Sequence, residues 1–433
     1  MQMFAKRIVV TGVGAVTPVG HDATSSWDAL VEGRSGVAPI SAFETGQGRP
    51  SYAAEVKDFA PERAGLPRRK LKMMGRQAQL AFAAAEQACA DAGLTGAEPK
   101  LDPTRLGIIL GVGMLNADAA ELGRTCHTMR AALEGERFGA AAFTRAAATE
   151  LFPLWLLRHI PNLAAAHASI HLDAQGPSNT IATGCVAGAN AIGEAARLLA
   201  RGEADVMLAG GTDARVSPLG TLRYRDLGWL ATRDDIDPAS ISAPFDEDAC
   251  GFVNGEGAGI LVLETLEHAQ ARGARIYAEL AAYAAANEAG DMLRPQAEGR
   301  ALARAITQCA ARSGVSVADV DAIFAPAPSV PGYDAAIASA LRTVLNGYTR
   351  PAVTALRSLL GHTHAASGAL DCVAAVKAIE TSQVPATANL RRPIADLPFV
   401  TDAARRDEVS ASLVCAYGFG GHAASLAFRV CPS

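Results

Sequence analysis

The sequence has few aromatic and few charged residues for its length. Phe, Tyr and Trp make up 5% of the 433 residues and charged side chains 19%, against a hydrophobic fraction of 50%. The chain can therefore bury a large interior, which must be built mainly from Ala, Val, Ile and Leu. A net charge of −5 and an isoelectric point near 6.0 argue against nucleic-acid binding.

Paired cysteines and long apolar runs are also missing. The eight cysteines are dispersed without a Cys-x-x-Cys motif, which is typical of reduced thiols in a cytosolic protein. No continuous run of about 18 apolar residues occurs, so we expect no membrane span. The apolar run at 8–16 follows two basic residues, as in a signal peptide, but glycines interrupt it and no convincing cleavage site follows. We therefore expect a cytoplasmic protein.

Short apolar runs alternate with alanine-rich segments of helical periodicity. This alternation predicts an α/β architecture in which helices cover a sheet. A weak midpoint near Gly273 divides the chain into 1–272 and 273–433, and similar apolar strands at 8–10 and 275–277 open the two parts. The other predicted strands are 106–110, 206–209, 259–263 and 322–325, and the predicted helices are 77–92, 187–200, 299–313, 335–345 and 365–381.

Gly12 and Gly14 follow the first strand and begin like a dinucleotide-binding fingerprint. Thr17 replaces the third glycine, and Pro18 stands where the phosphate-binding helix should begin. The pattern therefore favours a tight turn after the strand over a nucleotide site.

Cys185 lies where an apolar strand turns into the predicted helix 187–200. A thiol at a helix N-terminus meets the positive end of the macrodipole and unpaired backbone N–H groups, which favour the thiolate. That is one way to make a sulfur nucleophile without a metal. The alternative is a buried structural cysteine, a common role of free Cys.

Two later segments carry possible chemistry. The glycine-dense segment 416–422 surrounds Phe419, which could move as a gate while nearby N–H groups stabilise an oxyanion. The alternative there is a plain turn between two terminal strands.

His362 and His364 precede a small-residue helix, but histidines two residues apart project in different directions on a helix, and no third metal ligand is evident. One catalytic histidine is therefore favoured over a metal site, and we expect no metal.

Several motifs resemble those of the β-ketoacyl-ACP synthases, the condensing enzymes of fatty-acid and polyketide synthesis. The matching segments are 10–20, 176–211, 244–246, 251–259, 361–362 and 418–421. They occur in family order over nearly the whole chain and are most similar to the elongating synthase II type. The resemblance implies the thiolase fold, two similar halves in a five-layered α/β/α/β/α arrangement, normally as a dimer. It also implies no cofactor and a partner, acyl carrier protein with a 4′-phosphopantetheine-bound acyl chain.

In that family a cysteine takes the acyl chain, and two histidines and a lysine support decarboxylation of malonyl-carrier and carbon–carbon bond formation. The resemblance implies that Cys185 is the nucleophile, that His362 is the second histidine and that Phe419 is the gating aromatic. The N–H groups of Cys185 and Phe419 would form the oxyanion hole. Arg357, Gly418 and Gly420 would contact the substrate.

The chain departs from the family pattern at the first histidine, where it has Pro326, and at the lysine, where it has Arg357. Proline neither donates a hydrogen bond nor titrates, and a guanidinium is not a compact, deprotonatable ammonium. The remaining departures are Pro328, Val330, Ile337 and Ala423, while Asp334 is kept. The losses concentrate on the machinery of decarboxylation, and the nucleophile is spared.

Two functions follow from this pattern. The first is a protein that accepts an acyl group from acyl carrier protein on Cys185, as an acyltransferase or an atypical β-ketoacyl synthase. The alternative is a non-catalytic partner subunit similar to a chain-length factor, so both a homodimer and a heterodimer stay open. Whether His364 or His422 takes the place of the histidine missing at Pro326 also stays open.

A basic cluster could dock an acidic carrier protein, because complementary charge raises the rate of encounter. The cluster consists of Arg68, Arg69, Lys70 and Lys72. The alternative is the solvated start of a helix.

Overall fold

The structure is a computed structural model that describes residues 4–45, 51–66, 68–96, 101–114, 119–132 and 139–432. Its strands are β1 (Ile8–Val16), β2 (Val37–Pro39), β3 (Tyr52–Ala54), β4 (Leu106–Val112), β5 (Ser178–Ile181), β6 (Val206–Ala214), β7 (Asn254–Thr265), β8 (Ala278–Asn287), β9 (Ala322–Phe324), β10 (Ala352–Thr354), β11 (Gln383–Val384), β12 (Arg405–Arg406), β13 (Ala411–Gly418) and β14 (His422–Arg429). Its α-helices are α1 (Ala23–Val31), α2 (Arg68–Leu71), α3 (Arg76–Asp91), α4 (Ala119–Ala132), α5 (Ala140–Glu150), α6 (Leu163–Leu172), α7 (Ala187–Ala200), α8 (Pro218–Asp226), α9 (Leu266–Ala271), α10 (Arg300–Ser313), α11 (Pro331–Leu345), α12 (Arg357–Leu360) and α13 (Ser367–Thr381).

The strand order repeats in the two halves of the chain. Across the first half it is β1-β7-β6-β4-β5, and across the second it is β8-β14-β13-β9-β10. In each half the first two neighbouring pairs are antiparallel and the last two are parallel. Short antiparallel pairing of β1 with β8 joins the halves. The boundary proposed at 272/273 falls in the connection between α9 and β8.

Helices and sheet form the five layers that the resemblance implied. Helices α7 and α13 lie in the middle and contact strands of both halves, while α3 and α6 cover the first half and α10 covers the second. The two middle helices approach closely because their residues are small. A Cβ added to Gly188 of α7 would lie 2.9 Å from the Cβ of Ala369 in α13 and 2.8 Å from the carbonyl oxygen of Ala365, in the turn before α13. A Cβ added to Gly211 of β6 would lie 2.6 Å from the same carbonyl oxygen. This approach brings the turn before α7 against the turn before α13.

The strands and helices predicted from periodicity are present, with ends displaced by a few residues. One start is wrong, because residues 275–277 precede β8 rather than opening it. The turn predicted at Gly12 and Gly14 is also wrong, since both glycines lie inside β1. A Cβ on Gly14 would lie 2.0 Å from the Ala84 carbonyl oxygen, so these glycines admit α3 against the strand. None of the described helices is long and apolar enough to cross a membrane.

Asp334 fixes the loop that leads from β9 into α11. Its buried carboxyl accepts hydrogen bonds from the backbone N–H groups of Phe245 at 2.8 Å and Ser329 at 3.1 Å. Both donors have positive φ, +63° and +69°, so each lies in a conformation that needs outside support. Burial raises the pKa of Asp334 to about 7. Ile337, one turn along α11, is buried in the hydrophobic core.

Replacing Asp334 with alanine should lower the free energy of unfolding by about 2–5 kcal/mol, because buried backbone N–H groups lose their acceptor. Denaturant titration measures this change, with Asp28→Ala on the exposed face of α1 as the control. If the two variants differ by less than about 0.5 kcal/mol, Asp334 does not hold this loop.

Candidate active site

Cys185 lies in the 3-10 turn Gly184–Val186 that connects β5 to α7. Gly184 has a φ of +63°, which lets the chain reverse from the strand into the helix. The cysteine is 5% exposed, and the backbone of Gly418 packs directly against it. A Cβ added to Gly418 would lie 2.9 Å from the Cβ of Cys185, so a side chain at this position would displace the cysteine.

The sulfur of Cys185 has close polar neighbours from three segments. His362 Nε2 lies 3.2 Å from Sγ, and the backbone N–H of Phe419 donates to the sulfur. One ring nitrogen of His364 lies within 4.8 Å of both Sγ and the facing nitrogen of His362. The structure thus brings together three predicted segments, the nucleophile turn, the histidine segment and the glycine-dense tail, at one buried point.

Burial has the largest effect on the protonation of Cys185. Desolvation raises its pKa to about 12 and Asp213 acts in the same direction, while Arg357, the Phe419 N–H and Arg215 oppose them. The thiolate favoured by the sequence analysis is therefore not the resting state. Burial, and next the charge of Arg357, lower the pKa of His362 to about 3. The resting pair is a neutral thiol beside a neutral imidazole, which can accept the thiol proton.

His364 also belongs to the site, although an i, i+2 pair on a helix would project apart. The two histidines precede α13 in irregular backbone, where Gly361 and His364 have φ of +62° and +48°. Their ring centroids consequently lie 4.6 Å apart. His422, the other candidate for the missing histidine, lies by Asn287, 3.2 Å from its Nδ2, and in the described part of the chain it is outside the Cys185 cluster.

Arg357 is buried behind the site at the start of α12. Its guanidinium forms an ion pair with Asp371 of α13, and its backbone carbonyl accepts a hydrogen bond from Ser242. Its positive charge lowers the pKa values of Cys185 and His362. This position gives Arg357 an electrostatic effect on the pair, and its contact with substrate stays a prediction.

Phe419 lies in the hairpin turn between β13 and β14, so the turn and the gate are compatible interpretations. Gly420 and Gly421 in this turn have φ of +81° and +72°. The ring of Phe419 stacks on Trp229, with centroids 4.2 Å apart and planes 4° apart, and meets the edge of Tyr333 at 5.4 Å. Such aromatic contacts contribute about 0.5–1.5 kcal/mol each, so they hold the ring in its present position.

Four residues of the site were not identified from the sequence. Trp229 and Tyr333 pack on Phe419, Tyr224 stacks on His364, and Asn254 lies 2.9 Å from His364 Nε2. The only available signal was the rarity of aromatic residues, since Trp229 is one of three tryptophans.

The segments that depart from the family pattern lie where the sequence analysis placed them, after β9. Pro326 and Pro328 are buried and Val330 is half-buried, so this loop presents no titrating group. Ala423, directly after the glycine-dense segment 416–422, is buried in β14.

The basic cluster forms the surface around α2, where Arg68, Arg69 and Lys72 are exposed and Lys70 is half-buried. Arg68 is partly neutralised by Glu62 at 3.4 Å.

Cys185, His362 and His364 are also a donor set that Zn²⁺ accepts, and they are the one group of this kind in the described ranges. The sulfur and His362 Nε2 are 3.2 Å apart, closer than the roughly 3.6 Å that two ligands of one tetrahedral Zn²⁺ keep. His364 Nε2 is engaged with Asn254. This geometry fits a hydrogen-bonded acid–base set better than a metal centre.

Known proteins and protein-family models match the chain along most of its length. Residues 5–269 match the β-ketoacyl synthase N-terminal domain, and residues 277–391 match the C-terminal domain. A 3-oxoacyl-[acyl-carrier-protein] synthase 2 of Synechocystis is 36% identical over 98% of both chains. An oxytetracycline polyketide putative β-ketoacyl synthase 1 of Streptomyces rimosus is 34% identical over 96% of this chain and 95% of that protein.

Solved structures are similar over the same length. The ishigamide ketosynthase/chain length factor has a TM-score of 0.85 at 31% identity. A type II polyketide acyl-carrier protein in complex with its ketosynthase bound to the hexaketide has a TM-score of 0.83 at 30% identity. Each alignment covers 99% of this chain and 100% of the matched chain.

The resting thiol predicts how Cys185 responds to pH. Its alkylation by iodoacetamide should rise about tenfold per pH unit between roughly pH 7 and 9, without a plateau, because only the thiolate reacts. Peptide mass spectrometry follows Cys185 at each pH, and the exposed Cys126 in the same sample serves as the reagent control. A plateau reached by about pH 7 would instead indicate a resting thiolate–imidazolium pair.

Proposed function

Because the chain belongs to the β-ketoacyl synthase family, we propose that it accepts an acyl group on Cys185 from the phosphopantetheine thioester of an acyl carrier protein. The observation that carries this proposal is the 3.2 Å contact between Cys185 Sγ and His362 Nε2. The names of the relatives, a 3-oxoacyl-[acyl-carrier-protein] synthase and a ketosynthase with its acyl-carrier protein, support the choice of donor.

The transfer needs one base and one oxyanion site. His362 takes the thiol proton as the sulfur attacks the thioester carbonyl, and the carbonyl oxygen becomes an oxyanion. The backbone N–H groups of Cys185 and Phe419 flank the sulfur and are suited to stabilise that charge. When the intermediate collapses, the carbon–sulfur bond to the carrier breaks and its sulfur takes the proton from His362. The products are acylated Cys185 and the free carrier thiol.

Pro326 stands where the family has its first catalytic histidine. The absence of that imidazole should slow acyl transfer to Cys185 less than it slows condensation. A general acid or base contributes roughly 10²–10⁴-fold, so one missing histidine slows a step that needs it without preventing a step that does not. Acyl transfer uses His362 alone. The protein is therefore proposed to act as an acyltransferase or as an atypical β-ketoacyl synthase.

The edge of the sheet supports assembly with a second subunit. Strand β5 pairs with β4 on one side only within the described sheet, and two of its four residues are exposed. An unpaired edge is a template for another strand. We propose a dimer, either of two copies of this chain or with another ketosynthase, and the cytoplasm as its location. The eight free thiols support a reducing compartment.

A second candidate function rests on the loop after β9. Pro326 and Pro328 carry no acid–base group, so this loop cannot supply the function of the family's first histidine. This favours a non-catalytic partner of an active ketosynthase. The similar ketosynthase/chain length factor supports such a pairing. The buried Cys185–His362 pair favours the catalytic function, because a partner subunit has no need to keep the nucleophile aligned with its base.

Incubation with an acyl-carrier protein bearing an acyl thioester should add the mass of the acyl group to the protein. The Cys185→Ala variant should gain no mass, and Cys309→Ala, at a buried cysteine outside the site, should behave as the wild type. Intact-mass spectrometry measures each species. An unmodified wild type that copurifies with a second ketosynthase would contradict acylation and favour the partner function.

Charge reversal at the basic cluster tests where the carrier docks. Arg69→Glu with Lys72→Glu should weaken carrier binding about tenfold or more at low salt, and the loss should shrink as salt increases. Binding is measured by surface plasmon resonance, with Arg63→Glu and Arg34→Glu, both at exposed arginines, as the matched control. Equal carrier affinity in both double variants would remove the docking assignment and leave the acylation proposal intact.

A further inference from the structure

His364 and Asn254 form a buried polar pair beside the nucleophile. His364 lies in the turn before α13 and Asn254 at the start of β7, 110 residues apart in the chain. His364 is 4% exposed and Asn254 is 1% exposed. His364 Nε2 and Asn254 Oδ1 are 2.9 Å apart. One ring nitrogen of His364 is within 4.8 Å of the Cys185 sulfur, so the pair lies next to the atom that would carry an acyl group.

The pair has hydrogen-bonding capacity that the surrounding protein does not use. A neutral imidazole has one N–H and an amide has two, and the contact between them uses one of these three hydrogens. Asn254 Oδ1 only accepts, so His364 Nε2 donates its single N–H in this contact, and the two hydrogens that remain are both on Asn254 Nδ2. Asn254 Nδ2 is buried and has no partner among the described residues. Leaving such a donor unpaired costs about 1–3 kcal/mol, which points to a ligand oxygen as its partner.

Packing holds the imidazole in this place. The ring of His364 stacks on Tyr224 at 5.0 Å, with planes 17° apart, and meets the edge of Phe252 at 5.6 Å. The residue also keeps a φ of +48°, an unfavourable conformation for a side chain of this size. Burial and the neighbouring His362 lower its pKa well below the usual range, so the ring is neutral and acts through hydrogen bonds.

We propose that Asn254 Nδ2, held in place by the hydrogen bond from His364, binds the thioester carbonyl oxygen of a malonyl-type extender and promotes its decarboxylation. This role rests on the proposed function, because the extender reacts with the acyl group held on Cys185. It would replace, from a different position, the hydrogen-bonding group that Pro326 lacks.

The step balances without an additional oxidant or reductant. The bond between the extender carboxylate and its α-carbon breaks, CO₂ leaves, and the electron pair forms an enolate whose oxygen the N–H groups of Asn254 Nδ2 hold. The α-carbon then attacks the acyl carbonyl on Cys185, and the carbon–sulfur bond breaks. The products are CO₂, a β-ketoacyl thioester and the Cys185 thiolate, which regains one proton from solvent through His362.

The experiment uses the full-length protein, already acylated at Cys185, and malonyl-carrier labelled in the free carboxylate. Asn254→Leu should lower labelled CO₂ release about 10²–10³-fold, the usual loss for one oxyanion donor. His364→Ala should also lower it, because Asn254 then loses the hydrogen bond that orients its amide. Acylation of Cys185, followed by intact mass, should stay within about threefold of the wild type. His364→Gln, which keeps an N–H donor, should release CO₂ at least about tenfold faster than His364→Ala. His422→Ala should match the wild type.

The outcomes separate this inference from the proposal on which it rests. If the wild type gains no acyl mass, the acylation proposal itself fails. If the wild type is acylated but releases no CO₂, or if both variants release CO₂ at the wild-type rate, the pair has no such role and acylation stands. If His364→Gln is no better than His364→Ala, the loss reflects packing rather than hydrogen bonding, and the inference is overturned.

Discussion

The contact between the Cys185 sulfur and His362 Nε2 depends on the close approach of the two middle helices. Each side chain lies in or near a turn that precedes one of these helices, and each turn comes from a different half of the chain. Gly188 and Gly211 leave room for Ala365 at the crossing, where any Cβ would overlap its carbonyl. The scarcity of large side chains is thus a condition of the site, because bulkier middle helices would separate the sulfur from the imidazole.

Burial decides how the site works once the groups have met. Desolvation and the charge of Asp213 outweigh the nearby arginines and the Phe419 N–H at Cys185, so the resting sulfur is protonated. The same burial keeps His362 unprotonated and available as a base. Proton transfer can therefore accompany attack on a thioester, without a standing charge in the apolar interior. Arg357, balanced by Asp371, supplies a fixed positive charge that favours the thiolate as it forms.

Features set by residues close together in the chain could be predicted from the sequence, and features set by distant residues could not. The turn at Cys185 and the helix after it were predictable because glycine and apolar periodicity act over a few residues. The glycines of β1 were misassigned, since the reason for Gly14 is the distant helix α3. The pair of His364 with Asn254 spans two segments far apart in the chain, and no local pattern marks it. The thiol pKa was misjudged for a related reason, because the depth of burial is a property of the whole fold.

Acylation with its carbonyl in the predicted oxyanion hole is the central claim. A crystal structure of the protein after reaction with an acyl-pantetheine thioester tests it most directly. We predict continuous density from Cys185 Sγ, with the acyl oxygen about 2.7–3.1 Å from the backbone nitrogens of Cys185 and Phe419. Density on another cysteine, or an acyl oxygen pointing away from both nitrogens, would contradict it.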